Sequence, residues 1–321
     1  MKGRLFVVSI VFFSLLTLVL TGCSKKPEAQ KLEDKVVADV NGAKIYNSEL
    51  EAQLSAVLGS HASQFQGEEG QKMLQEFRKQ ILEQLIEFEL IVQQAEKEGI
   101  KVNDADVKKR IDEIKKQFSS EADFKAALSQ AGITESELPE KIKKQLLAEK
   151  MIEKLFKDIK IEETEMKDYY EKNKKRFYAS ETAEFAHVMV ADEKTANQVL
   201  KEIKEGMSFE DAVTKYSTDS MTKNNKGKIG SLTRQAIEQM FGPDFAAAVF
   251  SLKEGEVYSK PLATSFGYHI IKLLKITPAH QRSFEEAKGD IKNNLLQKKQ
   301  QEIYSKWINE IKKKAKIKRY L

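Results

Sequence analysis

EFAHVMV occupies residues 184–190, and a second stretch, FGYHIIK, occupies residues 266–272. Successive side chains of a strand point to opposite faces, so the first stretch would place His187 beside Phe185 on one face and small or branched apolar residues on the other. Both stretches predict strands that bury a histidine, although the chain has only four histidines in 321 residues. A single buried histidine is usually a core residue with satisfied hydrogen bonds, so the surrounding motifs must decide whether the pair has a function.

Four short motifs follow one another between the two predicted strands. They read FEDA at residues 209–212, YSTDS at 216–220, KGKIG at 226–230 and LKEGEV at 252–257. Their order and spacing resemble the parvulin family of peptidyl-prolyl isomerases over residues 182–276. The resemblance implies an inserted domain at residues 178–280, in which a small antiparallel sheet is flanked by helices.

The resemblance also implies a set of catalytic residues. His187 and His269 would form a pair in which one ring donates a hydrogen bond to the other, and Thr264 would supply a hydroxyl that supports the pair. Asp219 stands where the family has a cysteine or an aspartate, although an aspartate in such a segment is also common as a turn residue. A carboxylate there would destabilise negative charge on the carbonyl oxygen of a planar amide, and would thereby favour the twisted form.

An apolar pocket for the proline ring is the second part of the implied site. Phe245 would form its aromatic floor, and Ile229 and Ile237 would form its walls. The sequence departs from the family pattern here. Residues 226–230 replace the usual paired glycines, acidic residue and leucine, Ile237 replaces a methionine, and residues 239–242 are additional. These departures concern the pocket wall and leave the histidine pair unchanged.

The implied reaction requires neither a nucleophile nor a cofactor. Rotation about a peptide bond has a barrier of about 18–20 kcal/mol because the amide loses its conjugation. A dry pocket that favours the twisted amide over either planar form would lower that barrier. The alternative for the same residues is a metal site formed by His187, His269 and Asp219, but they have no close metal-ligand spacing. The sequence therefore predicts an isomerase without metal or cofactor.

The first residues of the chain predict export. Two basic residues precede an apolar run at residues 5–20, and LTGC follows at residues 20–23. This pattern is typical of a secretory signal, and the run is shorter than the ~20 residues of a membrane-spanning helix. LTGC also resembles a bacterial lipobox, in which Cys23 carries a lipid after removal of residues 1–22. An ordinary signal peptide with an incidental cysteine is the alternative.

The composition fits an exported soluble body on a tether. Charged residues make up 32% of the chain and aromatic residues 8%, as in a helical protein with an extensive polar surface. Removal of residues 1–22 takes two positive charges from the net charge of +5 and leaves +3, which gives no reason to expect nucleic acid as a partner. Cys23 is the only cysteine, so no internal disulfide can form. The polar residues 23–35 predict a flexible tether.

Residues 36–177 predict a region of different character, mostly helical with a hairpin at its start. An Asn-Gly pair between two apolar runs indicates a tight turn near residue 41. Asn47 or Ser48 would then cap a helix that begins at Glu49. Further helices are predicted by apolar periodicity and by caps. They cover residues 73–97 before Gly99, a start within residues 100–108, residues 124–128 before Gly132, a segment after a capping box at residues 134–137, and a start within residues 159–167.

The end of the chain predicts one more long helix, at residues 283–316. One side of it is apolar, with Phe284, Ile291, Leu295, Ile303, Trp307 and Ile311. The basic residues that follow are interpreted as a solvated helix end and a short strand, or alternatively as a patch on a membrane surface. The whole layout resembles the SurA- and PrsA-type chaperones. That resemblance implies a helical chaperone domain built from both ends, residues 36–177 and 281–321.

The predicted fold class is therefore α+β, and the predicted protein is an exported foldase. It would isomerise X-Pro bonds in unfolded or partly folded exported proteins, and a lipid on Cys23 would hold it at the membrane. In a bacterium with two membranes it would lie on the outer membrane and face the periplasm, and otherwise it would lie on the outer face of the cell membrane. The alternative is a chaperone whose parvulin domain is weak or inactive and only binds clients.

Overall fold

A computed structural model describes residues 34–59 and 65–321. The chain divides into two compact units. Unit 1 holds the described residues up to Glu162 together with Lys292–Leu321, and unit 2 holds Glu163–Ile291. The predicted signal peptide, the predicted lipidation at Cys23 and nearly all of the predicted tether lie outside the described residues. None of the helices in the described ranges combines the length and the apolar composition that spanning a membrane would require.

The described residues form eleven α-helices and nine strands, with two 3-10 turns and connecting loops. The helices are α1 (Asn47–Leu58), α2 (Gly67–Lys97), α3 (Asp104–Lys115), α4 (Glu121–Gln130), α5 (Leu138–Phe156), α6 (Glu163–Lys172), α7 (Glu193–Lys204), α8 (Phe209–Tyr216), α9 (Arg234–Phe241), α10 (Pro243–Ser251) and α11 (Phe284–Lys314). The strands are β1 (Val36–Val40), β2 (Ala43–Tyr46), β3 (Tyr178–Ala179), β4 (Thr182–Val190), β5 (Lys228–Thr233), β6 (Leu262–Thr264), β7 (Gly267–Thr277), β8 (His280–Gln281) and β9 (Ile317–Arg319).

The predicted hairpin of unit 1 is confirmed. β1 and β2 pair antiparallel, and Asn41 and Gly42 between them have φ angles of 55° and 96°. Both values lie in the left-handed region that a two-residue hairpin turn requires, which explains the Asn-Gly pair. β9 pairs with the other edge of β1, with Val40 opposite Ile317. The first and the last described strands therefore lie in one three-stranded sheet of order β2-β1-β9, as the chaperone resemblance implied.

The helix after the hairpin begins earlier than the sequence predicted. α1 begins at Asn47, directly after Tyr46, and not at Glu49. Ser48 is inside the first turn, where its backbone N–H and its hydroxyl both donate to the Asp34 carboxylate. Because Asp34 satisfies an amide that the helix itself leaves free, no capping side chain is needed at residues 47–48.

The long helix α2 also begins earlier than predicted, at Gly67 instead of residue 73. Its first turns are polar and show no apolar periodicity, so the pattern alone could not reveal them. Glu68 and Glu69 lie in the first turn, where negative charge favours the helix dipole. The predicted end is confirmed, since α2 ends at Lys97 and Gly99 has a φ of 71°.

The capping box predicted at residues 134–137 is confirmed. The Thr134 N–H donates to the Glu137 carboxylate at 2.9 Å, and the Glu137 N–H donates to the Thr134 hydroxyl at 3.3 Å. α5 begins just after it, at Leu138, which puts Pro139 in the first turn. Proline is tolerated there because the first amides of a helix have no partner within the helix.

The last helix joins the core of unit 1, but not only through the predicted apolar side. Ile308 is the most buried residue of its C-terminal half, with 5% of its surface exposed. It packs in a cluster that includes Ile91 on α2 and Leu147 on α5. The predicted stripe contained Trp307 and missed Ile308. In the structure Trp307 is partly buried beside the same cluster, so the apolar face is wider than predicted.

Unit 2 is built on a four-stranded antiparallel sheet of order β5-β4-β7-β6. The two faces of β4 support different clusters, as the period-two pattern predicted. Ala186, Val188 and Val190 pack with residues of α7 and α8. Phe185 packs on the other side with residues of α9 and α10. α6 belongs to this unit too, and its Tyr170 hydroxyl donates to the Arg282 carbonyl at 2.6 Å.

Candidate functional site

Neighbouring strands bring the two histidines together at the centre of the unit 2 sheet. In the β4–β7 register, Met189 is opposite His269 and His187 is opposite Ile271. The Nδ1 atoms of His187 and His269 lie 3.0 Å apart. Both side chains are buried, at 3% and 0% exposure, so the hydrogen bond between them is largely protected from water.

The histidine pair is extended by one residue at each end. The Thr264 hydroxyl on β6 lies 2.8 Å from Nε2 of His269. At the other end, Oδ2 of Asp219 lies 2.9 Å from Nε2 of His187. The structure therefore brings together all four side chains that the family resemblance implied, in one continuous series of hydrogen bonds.

Asp219 decides the direction of these hydrogen bonds. An ionised carboxylate only accepts, so His187 carries a proton on Nε2 and donates it to Asp219. Nδ1 of His187 then accepts from Nδ1–H of His269, and Nε2 of His269 accepts from the Thr264 hydroxyl. Every donor in the series therefore points toward Asp219, and both histidine tautomers follow from the one carboxylate.

The pKa values agree with this arrangement of protons. Burial and, to a smaller extent, the neighbouring His187 together lower the pKa of His269 to about 4, although the charge of Asp219 acts in the opposite direction. Burial also lowers the pKa of His187, although the hydrogen bond to Asp219 acts in the opposite direction. Burial would raise the pKa of Asp219, but hydrogen bonds from Thr222 and His187 outweigh it and hold that pKa below the usual value. Near pH 7 the two rings are thus neutral and the carboxylate is ionised.

The segment between α8 and β5 holds Asp219 against the sheet. The Thr218 N–H donates to the Met189 carbonyl at 2.8 Å, and the His187 N–H donates to the Gly227 carbonyl at 2.9 Å. Gly227 has a φ of 72°, and a Cβ added there would lie 2.3 Å from the His187 carbonyl oxygen. Only glycine permits this close approach, so the glycine of the KGKIG motif is explained by the position of the loop on β4.

Thr222 belongs to the site, although the sequence did not single it out. Its hydroxyl lies 3.0 Å from Nε2 of His187 and 2.5 Å from Oδ2 of Asp219. The sequence signal is a hydroxyl residue three positions after the aspartate, in a segment without a regular periodicity. Such a pair also occurs in ordinary turns, so the spacing alone is not specific.

An aromatic pair lies against the two histidines. The Phe245 ring is 5.4 Å from the His269 ring and nearly perpendicular to it, and its side chain is only 1% exposed. Phe241 stacks on Phe245 with 4.5 Å between ring centres, and lies 6.2 Å from His187 and 6.0 Å from His269. Phe241 is half-buried, so it presents more surface at the site than Phe245 does.

Phe241 lies within residues 239–242, which are additional to the parvulin motif pattern. It is the last residue of α9, and Gly242 with a φ of 97° turns the chain directly into α10. This sharp corner folds the Phe241 ring back onto Phe245. The predicted wall residues lie deeper in the same cluster, where Ile237 is completely buried and Ile229 is partly buried. Their contact with a substrate stays a prediction.

The ring nitrogens of the two histidines are all engaged within the protein. Within residues 34–59 and 65–321, no group of three or more histidine, cysteine, aspartate or glutamate side chains could hold a metal ion. Both nitrogens of His187 and of His269 already have a partner within the protein. This arrangement suits a site that works through hydrogen bonds and apolar contact.

Comparison with protein families agrees with the division into two kinds of region. Residues 2–152 match the model of a SurA-like N-terminal domain. Residues 161–289 match the model of a PPIC-type PPIase domain. The second match includes every residue of the site described above.

Whole-length relatives define the family. The chain is 32% identical to the foldase protein PrsA of Clostridium botulinum (strain Okra), and the alignment covers 100% of this chain and 98% of that protein. It is 34% identical to the foldase protein PrsA of Caldanaerobacter subterraneus subsp. tengcongensis, over 94% of this chain and 92% of that protein. The chain therefore belongs to the PrsA foldase family.

A crystal structure of PrsA from Bacillus subtilis is among the similar solved structures. It is 27% identical to this chain, and the alignment covers 88% of this chain and 93% of that chain with a TM-score of 0.28.

Proposed function

We propose that this foldase is exported and lipid-anchored, and that it catalyses cis/trans isomerisation of X-Pro bonds in unfolded or partly folded exported proteins. The proposal rests on the series of hydrogen bonds that runs from Thr264 through His269 and His187 to Asp219. This series lies beside the aromatic pair of Phe241 and Phe245. Membership in the PrsA foldase family supports a role in assisting protein folding.

The site contains what bond rotation requires. Rotation about X-Pro is slow because the amide must lose its conjugation, and uncatalysed exchange takes tens of seconds or more. The half-buried Phe241 ring, which stacks on Phe245, would offer a surface for the proline ring, and the ionised Asp219 would disfavour the charge separation of the planar amide. Neutral histidines hold Asp219 in place without introducing a positive charge that would cancel its effect. No covalent intermediate is involved.

Three exposed apolar side chains belong to residues close in sequence to those of the site, which would suit an unfolded polypeptide as substrate. Met221, Met240 and Phe266 are 90%, 52% and 63% exposed. Met221 precedes Thr222 and Met240 precedes Phe241 in the sequence. The Phe266 N–H donates to the Thr264 hydroxyl at 3.1 Å. Exposed apolar groups that gather around one site often mark a binding surface. They would contact the residues that flank the proline.

One observation favours the alternative, a chaperone whose parvulin domain only binds clients. Phe241 stacks directly on Phe245, the ring expected to form the pocket floor, and leaves it 1% exposed. A proline ring must therefore bind on Phe241 or displace it. Slow displacement would give binding with little catalysis.

An isomerisation assay separates these functions. The full chain is expected to accelerate cis/trans exchange of short X-Pro peptides, with the same rate in the presence of a metal chelator, because the site relies on its own hydrogen bonds. Exchange can be followed by NMR of the peptide. Binding without acceleration would favour the client-binding alternative, and loss of activity with the chelator would favour a metal site.

The proposed organisation of the chain follows the sequence prediction. Residues 1–22 would be a signal peptide, residues 23–35 a tether, residues 36–177 and 281–321 the chaperone region, and residues 178–280 the isomerase domain. The protein would lie in the bacterial cell envelope, on the outer membrane facing the periplasm or on the outer face of a single cell membrane. The flanks of the apolar run and the LTGC sequence support this.

Lipidation can be tested at Cys23. The Cys23→Ser chain is expected to incorporate no labelled fatty acid in the producing bacterium, because the lipid would be attached through the thiol. The unsubstituted chain is the control in the same cells. Equal incorporation in both chains would show that the lipid, if any, is carried elsewhere.

A further inference from the structure

Three polar atoms form a closed triangle at the Asp219 end of the site. Nε2 of His187 lies 2.9 Å from Oδ2 of Asp219 and 3.0 Å from the Thr222 hydroxyl, and that hydroxyl lies 2.5 Å from the same Oδ2. The triangle has two protons to share, one on Thr222 and one on His187. In the favourable arrangement the carboxylate accepts both protons. If the Thr222 hydroxyl instead donated to Nε2 of His187, Oδ2 would face a lone pair on the Thr222 oxygen and would lose the proton of Nε2 as a donor.

The carboxylate is therefore held by three donors. Its other oxygen, Oδ1, accepts the N–H of Met221 at 3.0 Å. That backbone donor fixes one oxygen, and Thr222 fixes the other against the ring of His187. Without the Thr222 hydroxyl, Asp219 would keep the backbone contact but could rotate about its side chain and move Oδ2 away from Nε2.

We propose that Thr222 is a positioning residue of the isomerase site, whose hydroxyl holds Asp219 against His187 and so keeps the whole series of hydrogen bonds running toward the carboxylate. This inference rests on the proposed function for its kinetic consequences. Its structural consequence, the tautomer of His187, can be measured whether or not the protein is an isomerase.

The hydroxyl of Thr222 can be separated from the role of Thr222 in the loop. The loop depends on the Thr222 carbonyl, which accepts the N–H groups of Asn225 and Gly227 at 2.8 and 2.9 Å. Any residue at this position retains that carbonyl. Thr222→Val keeps the branched shape and removes only the hydroxyl, and Thr222→Ser keeps the hydroxyl.

The matched control is Thr214→Val, at an exposed position on α8. The Thr214 hydroxyl donates to the Glu210 carbonyl at 3.0 Å, within the same helix. Thr222→Val is expected to lower kcat/KM by about tenfold, the usual effect of one hydrogen bond to a charged group. Thr222→Ser is expected to stay within about twofold of the unsubstituted chain. Thr214→Val should leave kcat/KM unchanged.

The second measurement is nitrogen NMR of histidine-labelled full chain. His187 is expected to be protonated at Nε2 in the unsubstituted and Thr222→Ser chains, and to show a mixture of tautomers in Thr222→Val. Thr222→Ala provides a smaller replacement if the valine chain does not fold. An unchanged His187 tautomer in the folded variant would overturn the proposal, whatever happens to activity. If the unsubstituted chain proves inactive, the proposed function fails but the tautomer still decides the role of Thr222.

Discussion

Removal of Lys292–Leu321 is expected to abolish the cooperative unfolding of unit 1, while unit 2 still unfolds in a transition of its own. The deleted residues contain β9 and the part of α11 that belongs to unit 1. Their loss exposes the edge of β1 and removes Ile308 from the core. Because a domain is stable by only about 5–15 kcal/mol, the loss of one strand and one core helix is enough to unfold it. Calorimetry of the full and shortened chains would show one transition missing.

A single substitution provides the matched test. Ile308→Ala is expected to lower the free energy of unfolding of unit 1 by about 2–5 kcal/mol, since it leaves a cavity in a packed cluster. Lys306→Ala, at an exposed position two residues earlier on the same helix, should have little effect. If the shortened chain kept the transition of unit 1 at its original temperature, the C-terminal segment would contribute no stability to that unit.

Asp219→Asn is expected to lower kcat/KM for an X-Pro peptide by about 100-fold, comparable to the loss of one electrostatic group in other active sites. The substitution keeps the shape of the side chain but removes its charge. An amide can also donate a hydrogen bond, so the hydrogen bonds that join His187 to His269 and His269 to Thr264 would no longer have one fixed direction. The unsubstituted chain should keep a constant kcat/KM between about pH 7 and 8, because burial holds the pKa of both histidines below the usual 6.5.

Asp211→Asn is the control for this substitution. Asp211 lies in the first turn of α8, where its carboxylate accepts from the Ser208 hydroxyl at 2.7 Å, and it makes no contact with the histidines. Its replacement should therefore leave kcat/KM within about twofold, as expected for a surface change. Equal activity of the Asp219→Asn and unsubstituted chains would remove Asp219 from the mechanism and leave apolar contact as the main cause of catalysis.

Local patterns were enough to predict much of this protein. The alternation in residues 184–190 predicted which face of β4 carries His187, because a strand has only two faces. The Asn-Gly pair predicted the hairpin turn, because few residues adopt its left-handed φ angles. Family resemblance then identified His187, Asp219, Thr264 and His269. The first and last of these residues are 82 positions apart in the sequence, and yet the four side chains form one series of hydrogen bonds.

The sequence by itself determined the fold class, the two strands that carry the histidines and the family, since each depends on periodicity or on the order of motifs. Only the tertiary structure decided that Thr222 reaches Asp219 and His187, that Phe241 covers Phe245, and that Ile308 enters the core of unit 1. These contacts depend on how the chain turns at Gly227 and Gly242 and on how helices pack across long separations. Periodicity along the chain carries no information about the irregular turns at Gly227 and Gly242, and the packing of Ile308 joins residues that are distant in sequence.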